Sequence, residues 1–130
     1  MILIKAEVKG EPDVSPFTRI FEYRSKSDEQ IFFNSVELIK EKLAKNLKIN
    51  TNESLVLYCG YLVDQMRARI STDIIENNSR KILSPDKVMI GVPETIRIIS
   101  FEVILDNFPK KKISFREPIP SMRYSMALDR

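Results

Sequence analysis

Residues 93–115 read PETIRIISFEVILDNFPKKKISF, and within them the apolar spacing changes from helical to alternate. Beyond Glu94, Ile96 and Ile98, then Phe101, Val103 and Leu105, recur at a period of two, the pattern of a half-buried strand. Asp106, Asn107 and Pro109 supply a turn, and Ile113 and Phe115 mark a returning strand. The stretch therefore predicts a β-hairpin with a basic tip. The remainder of the chain must supply the layer that covers its apolar face.

Upstream, helix signals dominate. Ser84, Pro85 and Asp86 give a cap residue, a proline at the first helical position and an acid in the first turn, with Gly91 and Pro93 as the stop. Ser71, Thr72 and Asp73 offer another cap, ahead of Ile74, Ile75 and Ile82. Asn50 and Glu53 form a capping pattern before Leu55, Val56, Leu57, Tyr58, Cys59, Tyr61, Leu62, Val63 and Met66. That helix is apolar nearly all round, so it is expected to be covered on several sides. Ser27 with Gln30 predicts the start of the first helix, in which Phe32, Val36, Ile39, Leu43 and Leu47 face a core and Glu37, Lys40, Glu41 and Lys45 face water. Asn46 stands where that helix ends, a residue that tolerates the left-handed conformation.

At the N-terminus Ile2, Ile4, Ala6 and Val8 alternate with Lys5 and Glu7. Gly10, Pro12, Ser15 and Pro16 then connect to Phe17, Phe21 and Tyr23, again at even spacing. These two segments read as a strand pair. The expected class is α+β: a four-helix bundle-like domain with a C-terminal antiparallel β-hairpin and an additional N-terminal strand pair. The expected divisions are 1–26, an N-terminal strand extension, 27–119, the main domain, and 120–130, a tail.

Composition restricts the chemistry. The 130 residues are 43% apolar and 30% charged with three glycines, a globular composition in which no glycine-rich phosphate loop can be assembled. There is no histidine, so the chain alone cannot build a Ser-His-Asp system, an imidazole acid/base or a His-bearing zinc or nickel site. One cysteine, Cys59, excludes an internal disulfide and a Cys-cluster metal site. It falls in the apolar second helix and reads as a buried, inert thiol. The longest apolar run, 55–63, is too short for a bilayer and the N-terminus lacks a signal layout, so a cytoplasmic protein is expected.

The net charge of +3 is unevenly placed. From residue 110 onward Lys110, Lys111, Lys112, Arg116, Arg123 and Arg130 face only Glu117 and Asp129. That balance is compatible with nucleic acid, with an acidic protein surface, or with a solvated hairpin tip. A single-strand nucleic-acid site needs aromatics interleaved with cations on one face. Arg67 with Arg69, Arg80 with Lys81, and Lys110 to Lys112 supply cations, and Phe108 and Phe115 lie near, but the alternation puts Phe115 on the core side. Glu94 and Glu117, near the two ends of the hairpin, are the one carboxylate pair whose convergence would permit acid/base work. In the tail Met122, Tyr124, Met126 and Leu128 alternate with Arg123, Ser125, Ala127 and Asp129, which suits either a strand added to a sheet edge on another chain or a frayed end.

Residues 82–119 contain Ile-Leu-Ser-Pro-Asp-Lys-Val-Met-Ile-Gly-Val-Pro-Glu-Thr-Ile-Arg, a hairpin and Phe-Arg-Glu-Pro-Ile. This resembles the gamma subunit of bacterial and archaeal urease, which has a Val-Met-x-Gly-Val-Pro-Glu-Met-Ile run, an antiparallel hairpin and a closing acid-Pro-Ile. Val88, Met89, Gly91, Val92, Pro93, Glu94, Ile96, Pro118 and Ile119 match residue for residue. Leu47, Lys48, Ile49, Asn50 and Glu53 are similar to that family's Leu-Lys-Leu-Asn-x-Pro-Glu junction between its first two helices. The resemblance spans about residues 30–119. Asn46 stands at a usual glycine, Gln65 to Arg69 replace a Gly-Ala-Arg-Asp-Gly-like run, and Arg116 replaces a common histidine.

The resemblance implies a structural role in an enzyme whose chemistry lies elsewhere. Urease hydrolyses urea to ammonia and carbamate at a dinickel centre whose ligands lie in the large alpha subunit. The gamma chain packs on that subunit and helps to close a trimeric alpha-beta-gamma assembly or a multiple of it. It implies no catalytic, cofactor-binding or metal-binding residue in this chain, with nickel in the alpha subunit and alpha and beta subunits as partners. No nucleic acid and no membrane are implied. The alternative from a different class is a free-standing basic nucleic-acid-binding protein.

Overall fold

The computed structural model describes residues 1–120. The element order is β1 (Ile2–Lys9), β2 (Phe17–Tyr23), α1 (Lys26–Ala44), α2 (Thr51–Arg67), α3 (Thr72–Asn78), two single 3₁₀ turns (Ser79–Lys81 and Pro85–Lys87), α4 (Val92–Thr95), β3 (Ile98–Leu105) and β4 (Lys111–Arg116). The N-terminal pair and the C-terminal hairpin merge into one antiparallel sheet of order β2-β1-β3-β4. β1 is thus an inner strand, with Ile4 opposite Phe21 on one side and Val103 on the other.

The alternation along each strand decides which face is buried. Ile2, Ile4, Ala6, Val8, Ile99, Phe101, Val103, Leu105, Ile113 and Phe115 form a dry inner face. Each large apolar side chain so buried contributes roughly 1.5–3 kcal/mol. The outer face carries Lys5, Glu7, Glu102 and Lys112 together with Leu3, Ile20 and Ile104, and its charges pair as Lys5 with Glu7 at 3.4 Å and Lys110 with Glu102 at 3.4 Å. The phase of β3 differs from the expected one at its start. Ile99, not Ile98, continues the inner row, because the chain leaves the single turn of α4 at Ile96 and begins the ladder only at Ile98.

The helices cover the inner face as a layer, and the four-helix bundle expected from the sequence is not what forms. α1 and α2 are long, but α3 has seven residues and α4 four, too short to build a bundle seam. The apolar sheet face takes the place of the missing helices. α2 is the central member, buried at Leu55, Leu57, Tyr58, Cys59, Leu62, Val63 and Met66. It meets the sheet through Tyr58 and Phe115, whose rings lie 5.8 Å apart edge to face. It meets α1 at Gly60, where an added Cβ would lie 2.9 and 3.0 Å from the two Val36 methyls, so glycine sets the spacing of these helices.

Local signals account for the helix ends. The N-cap of α1 is Ser25, two residues before the expected Ser27. The Ser25 hydroxyl accepts from the Asp28 amide at 3.1 Å, and the Asp28 carboxylate accepts from the Ser25 amide at 3.3 Å, so Asp28 fills the role expected of Gln30. Both long helices close with the paired bonds of a Schellman motif. In α1 the Leu47 amide donates to Lys42 and Asn46 to Leu43; in α2 the Ile70 amide donates to Gln65 and Arg69 to Met66. Asn46 (φ 60°) and Arg69 (φ 59°) hold the left-handed position. Leu47, expected on the core face of α1, lies past its end and is 52% exposed.

The expected helix after Ser84 is a single 3₁₀ turn, and Pro93 opens α4 instead of ending a helix. Gly91, with φ 93°, is the turn that permits this.

Candidate functional site

The two segments singled out in the sequence, 47–53 and 88–96, are about forty residues apart in the chain and adjacent in space. The Ile49 amide donates to the Lys87 carbonyl at 3.1 Å and the Met89 amide to the Ile49 carbonyl at 2.9 Å, a short parallel bridge that centres on Ile49 and Val88. Both of those side chains are buried.

The chain beside this bridge is fixed by the cap of α2. The Asn50 side chain accepts from the Glu53 amide at 2.8 Å, and the Glu53 carboxylate accepts from the Asn50 amide at 3.1 Å and from Lys42 Nζ at 2.6 Å. Burial by itself would raise the Glu53 pKa, but Lys42 and the Asn50 amide outweigh it and hold the carboxyl below its ordinary value. Glu53 therefore stays ionised and keeps the end of α1 tied to the start of α2.

On the other side of the bridge Val92 and Pro93 are buried, the Thr95 hydroxyl donates to the Gly91 carbonyl at 2.8 Å, and Met89 and Ile90 project outward. Ile90 is fully exposed, and with the exposed Met89 beside it forms a small apolar surface patch between the buried Val88 and Val92. Gly10 ties the N-terminal strands to this unit. It lies against the α4 backbone, and the adjacent Glu11 amide donates to the Glu94 carbonyl at 2.8 Å.

Of the carboxylate pair considered from the sequence, Glu117 is engaged in an ion pair. Glu117 is bound by Arg97 at 3.1 Å, and the acid that shares Arg97 with it is Glu11, not Glu94. The arrangement is a structural clamp between the β1–β2 connector and the end of β4. Cys59 is fully buried and burial pushes its thiol pKa well up, which makes it unreactive.

The basic segments are dispersed. Arg67 makes two bonds of 3.0 Å to Asp106 and one of 2.7 Å to Glu29, and the Met1 amine joins the same two carboxylates at 3.0 Å each. This four-group ring binds β1, α1, α2 and the hairpin turn to one another. Lys110 is paired with Glu102, and Arg80 donates to the Arg116 carbonyl at 3.1 Å. Phe115 is fully buried. Of the two aromatics named for the nucleic-acid reading, only Phe108 stacks with a cation, Arg69 at 4.8 Å, and one such contact is not the continuous interleaved face that reading requires. The tail segment 122–128 lies outside them.

Among the described residues no group of three or more His, Cys, Asp or Glu could hold a metal ion, and no helix is long and apolar enough to cross a membrane. Sequence reasoning did not find the Ile49–Val88 bridge or the Arg97 clamp. Both depend on pairings between distant segments that local spacing cannot show.

The family described as "Urease, gamma subunit" matches residues 23–119. A urease subunit gamma from Halalkalibacterium halodurans is 31% identical over 94 residues, which cover 70% of this chain and 91% of the relative. A urease subunit gamma from Ureaplasma urealyticum serovar 10 is 31% identical over 88 residues, 65% of this chain and 83% of the relative.

Proposed function

Because this chain belongs to the urease gamma-subunit family, we propose that it is a non-catalytic structural subunit of a nickel-dependent urease, the complex that hydrolyses urea to ammonia and carbamate. The observation that carries this reading is the bridge between 47–53 and 88–96: the family-like residues meet in a backbone-paired junction beside which Met89 and Ile90 are exposed. An exposed apolar pair on a backbone-paired support suits a contact with another chain.

Nickel does not fit the donors present. It wants imidazole or several convergent carboxylates, whereas the chain has no histidine, its one thiol is buried, and Glu11, Glu29, Glu53, Asp106 and Glu117 are each engaged by a cation. Nickel and all catalytic groups are assigned to the alpha subunit. The partners are alpha and beta chains, assembled as an alpha-beta-gamma trimer or a multiple of it, in the cytoplasm. Residues 27–119 are the gamma-like domain, and 1–26 and 120–130 extend its contacts.

Co-expression with the neighbouring urease chains tests this. The tagged chain is expected to retain a large, histidine-rich, nickel-containing subunit and urea hydrolysis, and to show no turnover alone. Purification as a lone chain that binds a nucleic-acid column in a salt-dependent way would overturn it. Removal of residues 121–130 is expected to lower the mass or heat resistance of the complex.

A further inference from the structure

Between the end of α2, α3 and the β3–β4 turn lies an open cleft of about 330 Å³. Met66, Ile75, Phe108 and Ile113 give it an apolar floor, and its two charged lining residues, Arg69 and Lys111, are both cations. No acid lines it. Their sequence neighbours Arg67 and Lys110 are held in ion pairs, whereas Arg69 and Lys111 form none among the described residues. The Arg69 guanidinium lies 4.8 Å over the Phe108 ring. Stacking uses the face of the group and leaves its N–H edge available for two parallel bonds to a carboxylate.

Arg69 also occupies its place at a cost. It holds φ 59° at the Schellman position of α2, where glycine is unstrained. The stacking on Phe108 offsets part of that cost within the chain. Strain of this kind, kept by a cation that no acid among the described residues answers, points to a task outside the described fold.

We propose that this cleft receives a neighbouring chain of the urease complex, which inserts an apolar side chain onto the Phe108 floor and places an adjacent Asp or Glu carboxylate against Arg69 and Lys111. The inference rests on the subunit reading above. Charge complementarity selects the occupant, since a basic rim over an apolar floor rejects a basic segment and leaves a neutral one without partners for the two cations.

The test uses the co-expressed complex with Arg69→Gly, Arg69→Glu and Lys111→Glu, together with thermal melts of the same chains alone. Arg69→Gly is expected to make the chain more heat-resistant while it weakens assembly at least tenfold. Arg69→Glu and Lys111→Glu weaken assembly further, with wild-type binding itself falling as salt rises. Glycine guards against loss of folding as the cause, because it relieves strain. If the wild-type chain assembles and the Arg69→Glu, Lys111→Glu double variant assembles with unchanged affinity, the inference is wrong and the subunit reading stands. If the wild-type chain retains no urease chain, both are wrong.

Discussion

Replacement of Gly60 by alanine opposes two terms whose sizes are known. Inside a helix, alanine is favoured over glycine by about 1 kcal/mol. Against that, the new Cβ would stand 2.9 Å from Cγ2 and 3.0 Å from Cγ1 of Val36, closer than van der Waals contact allows. Both methyls face it, and valine in a helix has one strongly preferred rotamer, so side-chain rotation gives little relief and α1 must move off α2. Overpacking of this sort costs about 1–3 kcal/mol. The steric term wins, and Gly60→Ala is expected to destabilise the chain by about 1 kcal/mol. In a Val36→Ala background, itself less stable by about 2 kcal/mol, the obstacle is gone. There the same Gly60→Ala change is expected to stabilise by about 1 kcal/mol, a coupling of about 2 kcal/mol between the two sites. Urea unfolding of the four chains, followed by helix signal, measures the cycle. An equal effect of Gly60→Ala in both backgrounds, or a gain in the wild type, would refute the close-approach argument.

Tyr58 has a buried hydroxyl without a hydrogen-bond partner among the described residues, so Tyr58→Phe keeps the ring on Phe115 and should raise stability by about 1 kcal/mol in urea titration; a loss would show that the hydroxyl has an unseen role. At Gly10 a Cβ would lie 2.4 Å from the Glu94 carbonyl oxygen and 2.7 Å from that of Thr95, both backbone, and Gly10→Ala should cost at least about 2 kcal/mol by separating the N-terminal strands from α4. Bonds from Arg67, helped by the Met1 amine and opposed by burial, hold the Asp106 carboxyl down at about 2 from an ordinary 3.8. A lowered carboxyl stabilises the fold above its ordinary value and loses that contribution as pH falls toward 2. Asp106 is about a third exposed, so screening keeps the contribution below about 1 kcal/mol. Arg67→Gln should therefore be less stable than wild type at pH 6, with a gap that closes between pH 4 and pH 2; a gap that does not vary with pH would count against this account.

Local features were legible in the chain and non-local ones were not. The cap at Asn50 and the left-handed Asn46 follow from contacts within a few residues, and the broad burial of α2 from its nearly continuous apolar composition; each is present as expected. The start of α1 moved by two residues because aspartate at Asp28 completes a capping box as well as the glutamine expected there. A period of two told which face of β1 is inward but not which strand lies beside it. The union of β1 with β3, and with it the replacement of a bundle by a sheet-and-helix layer, was therefore not legible. The family-like residues were found from the sequence, but their contact through Ile49 and Val88 was not. Arg69 was visible only as a cation and as the end of a run that departs from the gamma-like pattern; its left-handed backbone contradicts arginine's ordinary preference, and only the fold shows what it faces.

The inner position of β1 has a consequence for how the chain reaches its native state. Its inner neighbour β3 follows it by roughly a hundred residues, with Ile2 opposite Leu105. During synthesis β1 and β2 can pair at once and α1 and α2 follow to cover their apolar face, but the second edge of β1 has no partner until β3 has emerged. Closure of so distant a pairing is slow, and until it occurs β1 presents an unpaired strand edge to other chains. Truncation within 98–116 therefore leaves β1 with an open edge, and such chains are expected to aggregate more readily than the full chain.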